Sequence, residues 1–281
     1  MSPVAPSRPA ELNAALQTLV PAWSVSDVAV IEALPGGYSH LNLRLRYDGQ
    51  DYVLRLPAAD PDAGAALFEM NWLAGLPEGL GAPIVAFNQS DGTMLSRWIE
   101  APLLAGLPSP PDQLVRYLVT LHRRLPATTR AFDLPQRVDA WLGASAQPAA
   151  VSRARKRLSM DESSLQTCHN DLNPWNILCE SNGWRTLDWE WVGRNDPLFD
   201  LAGLGLGAGC TLGELTDMAR AYLDGMAIAV DDSTLRNRLN RAVSGFWLRE
   251  YAWAFSAIRG GNDRQEVSEQ LHTALEWLQR R

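Results

Sequence analysis

From Leu41 to Tyr47 the chain alternates: Leu41, Leu43, Leu45 and Tyr47 against Asn42, Arg44 and Arg46. A period of two predicts a half-buried strand. Asp48-Gly49 follows as a two-residue hairpin signal, and Tyr52 to Leu56 predicts the returning strand. An earlier strand is predicted over 27–34, ended by Pro35-Gly36-Gly37. A second hairpin is predicted over 84–88 and 93–98, across Ser90-Asp91-Gly92. Helices are predicted over 7–20, with Pro9 near the start, and over 62–75. Four prolines between Ala101 and Pro111 mark a linker. Beyond it the pattern turns helical, over 111–125, 134–146, 149–158, 197–206, 212–229, 235–258 and 263–279. One short hairpin interrupts the series, Ile177 to Glu180 and Arg185 to Asp188, across Ser181-Asn182-Gly183. The chain is thus expected to divide into a strand-rich lobe, 1–100, and a larger helical lobe, 101–281.

Composition narrows the class. The chain has 281 residues, 46% of them hydrophobic, which supplies a sizeable core and argues against global disorder. A net charge of −7 argues against a general nucleic-acid or anionic-membrane binder. The longest uncharged apolar stretch, Leu201 to Gly213, is 13 residues and too short to span a bilayer. No signal-peptide run opens the sequence, so a cytoplasmic protein is expected. The three cysteines form no CxxC pair and no zinc spacing. Charge is uneven: between residues 161 and 200, eight acids face two arginines, a net of −6. Such a concentration is unfavourable unless cations or solvent compensate it.

That window holds the chemistry. His169-Asn170-Asp171-Leu172-Asn173-Pro174-Trp175-Asn176 fits the pattern H-x-D-x-x-x-x-N, and Asp188 ends the hairpin that follows. Transfer of a γ-phosphoryl group needs a carboxylate to orient the attacking hydroxyl and accept its proton. It also needs oxygen ligands for the Mg²⁺ that neutralises the triphosphate. Asp171 suits the first role. Asn176 and Asp188 suit the second, because a tight hairpin folds one beside the other.

With these residues the chain resembles the aminoglycoside phosphotransferase and choline kinase family, nearest to the bacterial choline, ethanolamine and thiamine kinases. Cys168 to Leu172 with Asn176-Ile177-Leu178 looks like the family's catalytic loop. Leu187 to Trp191 with Gly193, then Asn195-Asp196-Pro197 and Phe199 to Ala202, looks like its metal-binding segment and the helix after it. The resemblance implies an α+β, bilobal, protein-kinase-like fold: a small antiparallel-sheet N-lobe that binds nucleotide and a larger helical C-lobe. It implies ATP and Mg²⁺ as cofactors. It places Gly36, Gly37 and Ser39 in a phosphate-covering loop, where close relatives often carry Asn in place of His40. It puts Arg55 at the position of the kinase strand lysine, with Glu69 on the next helix as its ion-pair partner.

The acceptor is expected to be a small alcohol, since no APE motif is present and Asn170 stands where protein kinases carry Arg. The acidic window and 11 tryptophans point to a cationic one, of the choline, ethanolamine or thiamine class. Glu190, and Trp247 and Glu250 on one predicted helix, are the candidates to face it. An aminoglycoside or amino-sugar phosphotransferase is the alternative, and an inactive kinase-fold binding module the rival of another class. No nucleic-acid partner and no membrane insertion are expected.

Overall fold

In the computed structural model, which describes residues 9–34, 40–57, 63–158 and 165–280, the alternating segment becomes the middle of a five-stranded antiparallel sheet. Strand β1 (Ala29–Ala33) flanks β2 (His40–Tyr47), which pairs along its whole length with β3 (Gln50–Pro57). Asp48 and Gly49 both take left-handed backbone, φ 48° and 70°, as a tight hairpin turn matched to strand twist requires. Beyond β3 lie β4 (Ile84–Phe87) and β5 (Met94–Arg97), in the order β1-β2-β3-β5-β4. Leu43, Leu45, Leu54, Leu56 and Leu95 project from one face and cluster with Leu12 and Leu16 of helix α1 (Pro9–Leu19). Each such leucine contributes about 1.5–3 kcal/mol when fully buried. Helix α2 (Ala63–Gly75) follows β3.

The second half is helical: α3 (Pro111–Arg124), α4 (Leu134–Leu142), α5 (Ala149–Arg157), α6 (Leu198–Gly207), α7 (Leu212–Gly225), α8 (Asp232–Arg259) and α9 (Gln265–Gln279). The 28-residue α8 packs against α4, α6 and α9. Three helix boundaries differ from expectation by three residues or more. Helix α4 stops before Gly143, whose φ is 58°, and α7 stops short of Ala227, at φ 57°, where a right-handed helix cannot continue. Helix α8 begins three residues early because the Asp231 side chain caps the N–H groups of Ser233 and Thr234. Strands β6 (Gln166–Cys168) and β9 (Gly193–Asn195) were not expected. At three residues each they are too short to show an alternation.

The hairpin β7 (Ile177–Glu180) and β8 (Gly183–Thr186) changes the partition of the chain. By contacts, one unit comprises the residues up to Leu107 together with Trp175–Glu190, and the other comprises Pro108–Pro174 with Trp191–Arg281. A split after residue 100 assigned the hairpin to the helical lobe. Backbone bonds carry it to the strand-rich unit: Thr186 N–H donates to Leu80 (2.7 Å) and Cys179 N–H to Pro102 (2.9 Å), and Leu103 bridges to Leu178. The architecture is α+β, with the five-stranded sheet in one unit and a helical array in the other. No helix of the described residues is long and apolar enough to cross a membrane.

Candidate active site

The strand-rich unit gathers one set of charged groups. Arg55 on β3 donates Nη1–H to Glu69 Oε1 (2.8 Å) and Nη2–H to Oε2 (2.6 Å), the bidentate fork expected of Arg with a carboxylate. Both side chains are buried, at 7% and 5% exposure, so neither belongs to the surface. Nη2 also donates to the Gly92 carbonyl (3.2 Å), and Nη1 lies 3.8 Å from Asp188 Oδ1. Arg55 Nε is buried with no hydrogen-bond partner among the described residues. Burial opposes the guanidinium charge, yet Glu69, then Asp188 and Glu190, hold its pKa above the ordinary value.

Asp188 follows β8 at φ 61°, a left-handed conformation that few non-glycine residues adopt. Strained positions of this kind cluster at functional sites. Asn176 precedes β7, and its carbonyl accepts the Leu187 N–H at 2.8 Å, so the hairpin's closing bond sets it beside the neighbour of Asp188. Glu190 Oε2 stands 3.4 Å from His40 Nε2. Asp188, Glu190 and His40 each offer a ligand atom within 4.8 Å of the others. Two carboxylates at such range are the hard oxygen donors that Mg²⁺ takes, and the residues fit that ion. Gly36, Gly37 and Ser39 lie outside the described residues.

The helical unit holds Asp171 on a loop fixed from beneath. His169 and Asn170 are fully buried. Asp200 on α6 accepts the backbone N–H of His169 with Oδ2 and that of Asn170 with Oδ1, both at 2.7 Å. Oδ2 also lies 3.0 Å from His122 Nε2, and His122 Nδ1 lies 2.7 Å from the Tyr222 hydroxyl. Burial pushes the Asp200 carboxyl up, but the bonds and charges from His122 and His169 win and hold it below the usual value. Asn170 sits at φ 67°, and its side-chain amide donates to the carbonyls of Cys168, Trp191 and Gly193. Beneath the loop, α6 carries Gly203, where a Cβ would stand 2.7 Å from the Leu172 carbonyl oxygen. Only glycine lets helix and loop approach this closely. The glycine-rich stretch of the sequence is therefore a packing surface for the loop.

Asp171 Oδ1 pairs with Arg249 Nη1 at 2.8 Å, and the same nitrogen donates to the Asn170 carbonyl (2.7 Å). Arg249 Nε and Nη2 both donate to Glu250 Oε1, at 2.9 and 2.6 Å, and Glu250 Oε2 accepts from Gln270 at 2.7 Å. Burial works against the charge of Arg249, but the carboxylates of Glu250 and Asp171 raise its pKa further. Sequence reasoning missed Arg249 and the bracing by Asn170. Nothing in the pattern of α8 marks Arg249, since its partner Asp171 is 78 residues away in the chain.

Of the groups expected to face a cation, Glu250 and Trp247 have partners within the protein. Glu250 has both oxygens bonded within the protein. Trp247 stacks on Trp277 of α9, with ring centroids 6.0 Å apart, and meets the edge of Phe246. Trp189 is buried against Trp72, and Trp191 carries the Arg137 guanidinium 3.7 Å from its ring. The acidic window is compensated by cations outside it: Arg55 near Asp188, Arg249 on Asp171, and Arg238 in a fork on Asp196 (2.8 and 2.9 Å).

The chain has relatives among known proteins. The chain is 27% identical over 191 residues to protein LicA of Haemophilus influenzae, a match that covers 59% of this chain and 55% of that relative. It thus spans little more than half the relative's length. Among solved structures, choline kinase LicA from Streptococcus pneumoniae superposes with a TM-score of 0.68 at 19% identity, covering 96% of this chain and 98% of that one. A LicA solved in complex with AMP gives 0.67 at 20% identity, covering 92% and 94%. These likenesses show a shared fold. Residues 30–229, well over half of the chain, match the model of the phosphotransferase enzyme family, and the chain belongs to that family.

Proposed function

We propose that the protein is an ATP-dependent kinase that phosphorylates the hydroxyl of a small molecule, with an acceptor of the choline class. The observation that carries the reading is Asp171: a carboxylate on a loop held by Asp200, in the H-x-D-x-x-x-x-N pattern of a chain that belongs to this family. In this reading Asp171 accepts the hydrogen bond and then the proton of the attacking hydroxyl, which aligns the oxygen on phosphorus. Arg249 fixes the carboxylate's direction. Arg55, oriented by Glu69, places donors toward phosphate oxygens of the nucleotide. Asn176 and Asp188, with Glu190 near, would hold Mg²⁺. When bound, that ion neutralises charge on the triphosphate. The AMP-bound LicA supports the nucleotide, and the LicA relatives support choline.

One observation favours a second reading of the acceptor. Arg249 brings a positive charge 2.8 Å from Asp171, and Glu250 is already neutralised by it. A cation approaching Asp171 meets that charge, which favours a neutral alcohol or sugar. Both readings are tested by one comparison. The rate of ADP release is measured with choline, its uncharged isostere 3,3-dimethylbutan-1-ol, ethanolamine, thiamine and an aminoglycoside, with Asp171→Asn as the blank. A kcat/KM highest for choline supports the first reading, one highest for the uncharged isostere replaces it with the second, and one highest for the polycationic aminoglycoside overturns both. If no acceptor supports ADP release above the Asp171→Asn blank, the kinase proposal falls.

A further inference from the structure

Helix α5 has no acidic residue and four cations, Arg153, Arg155, Lys156 and Arg157. A basic last turn is ordinary, because it meets the negative end of the helix. The four are not used alike. Arg155 is forked on Asp139 of α4, with Nε 2.6 Å from Oδ1. Arg153 and Arg157 make no hydrogen bond or ion pair among the described residues. Four residues apart, they share one face of α5. That face closes a cavity of about 340 Å³ against α8 and α9.

The wall from α8 continues the pattern. Asn237, Asn240, Arg241 and Ser244 recur at helical spacing on one face, so two amides, a hydroxyl and a third guanidinium line the cavity. No carboxylate of the described residues lines it. The whole chain carries 32 acids against 25 Lys and Arg, so a wall of three arginines and no acid departs from the average surface. Like charges around one cavity repel unless an anion joins them. The rest of the wall is apolar, with Leu278 and the indole of Trp277. Trp277 stacks on Trp247 at 6.0 Å between centroids and 23° between planes, which fixes its ring. The donors select the anion. A carboxylate has two oxygens in one plane and is satisfied by a single guanidinium fork, as Asp139 is by Arg155. Guanidiniums reaching in from two helices offer donors on more than one side, which suits the three terminal oxygens of a phosphate monoester. The volume is at the small end of ligand sites, which run to roughly 300–1,000 Å³.

We infer that the cavity between α5, α8 and α9 binds a small phosphate monoester, its phosphate on Arg153, Arg157 and Arg241 and a flat apolar body against Trp277. Every residue of this site belongs to the helical unit, and none of them is Asp171, Asn176 or Asp188. The inference is independent of the kinase reading.

Phenyl phosphate is the probe, compared with inorganic phosphate and benzoate by isothermal titration of the full chain. ADP and Mg²⁺ are present throughout, so that the proposed nucleotide site is filled. The expected result is one phenyl phosphate per chain, bound more tightly than phosphate, which lacks the ring, and than benzoate, which lacks the third oxygen. Arg153→Gln and Arg157→Gln should each lower that affinity on the order of tenfold. Lys156→Gln removes the same charge from the same helix away from the cavity wall and should leave the affinity unchanged. Trp277→Leu should erase the advantage of phenyl phosphate over phosphate. Arg153 and Arg157 are exposed, so their substitution spares the core, and thermal melts check every variant. If Trp277→Leu does not fold, the arginine variants and the three ligands decide alone. Asp161 and Glu162 follow Leu158 in the sequence, outside the described residues, and Asp161→Asn with Glu162→Gln is titrated in parallel. Binding that appears only in that double variant overturns the inference. So do equal losses in Lys156→Gln and Arg157→Gln, parental affinity in either arginine variant, phosphate or benzoate bound as tightly as phenyl phosphate, or no saturable binding in the millimolar range.

Discussion

Asp200→Asn isolates what holds the loop that carries Asp171. The carboxylate takes two backbone N–H bonds at 2.7 Å, one on each oxygen, with His122 sharing Oδ2. An amide has a single acceptor atom. Whichever way it is turned, an NH₂ group faces the buried N–H of His169 or of Asn170. An unpaired buried donor costs about 1–3 kcal/mol, and a bond to a charged acceptor is worth about 1.5–3 kcal/mol. A loss near 3 kcal/mol corresponds to a Tm lower by roughly 6–12 °C in a domain of this size. The loop also shifts, and a displacement of about 1 Å at Asp171 lowers turnover on the order of a hundredfold. The KM for ATP should change little, because Arg55, Glu69 and Asp188 are untouched. pH adds a second signature. The folded Asp200 carboxyl is held below its unfolded value, so its contribution to stability is present above about pH 4 and is lost as pH falls through the folded value. Asp200→Asn should flatten the acid limb of the parent's stability curve. The measurements are thermal melts from pH 3 to 7 and steady-state kinetics. A Tm within 2 °C of the parent together with parental kcat would refute the reasoning.

Three other substitutions probe separate parts. Arg55→Lys keeps a charge and loses the fork on Glu69, so it should raise the KM for ATP while Arg55→Ala raises it further; a larger effect on the acceptor KM would place Arg55 elsewhere. Arg249→Met leaves Asp171 and Glu250 without their shared cation and should destabilise the protein by about 3–5 kcal/mol in a denaturant titration. Stability unchanged by Arg249→Met would mean that the pairing is not maintained in solution. Gly203→Ala drives a methyl into the Leu172 carbonyl and should lower both Tm and kcat, whereas Gly209→Ala, with open space around it but φ 81°, should lower Tm slightly and spare kcat.

The local patterns were legible in the sequence, and the long-range compensation was not. Alternation and a two-residue turn identified β2 and β3 because strand pairing there is local. The motif residues Asp171, Asn176 and Asp188 could be named because their spacing is short. The charge count between 161 and 200 shows the acids but not their partners: Arg55, Arg238 and Arg249 are distant in sequence and invisible to a window. The count of tryptophans has the same blind spot. A sequence shows their number, but not that Arg137 already covers Trp191 or that Trp189 is buried in the strand-rich unit. From its place at a helix start Asp200 suggests capping or loop support, and loop support is what it gives. Its grip on two backbone amides depends on the approach of α6 to the loop, which Gly203 permits.

The strand-rich unit is made from two separate stretches of chain, and this sets an order on its completion during synthesis. The sheet and α2 have all emerged once Leu107 is clear of the ribosome, yet Leu80 and Pro102 receive their hairpin partners, Thr186 and Cys179, only when some eighty more residues have been added. At ordinary elongation speeds that wait is on the order of 4–16 s. During it the carbonyls of Leu80 and Pro102 are met by water, and Arg55 has Glu69 but not Asp188. A nascent chain halted before residue 175 would therefore carry the five-stranded sheet without the hairpin that bonds to Leu80 and Pro102. Cutting the gene after the proline-rich stretch yields the same incomplete piece, so the hairpin must be supplied with any fragment intended to stand for this unit.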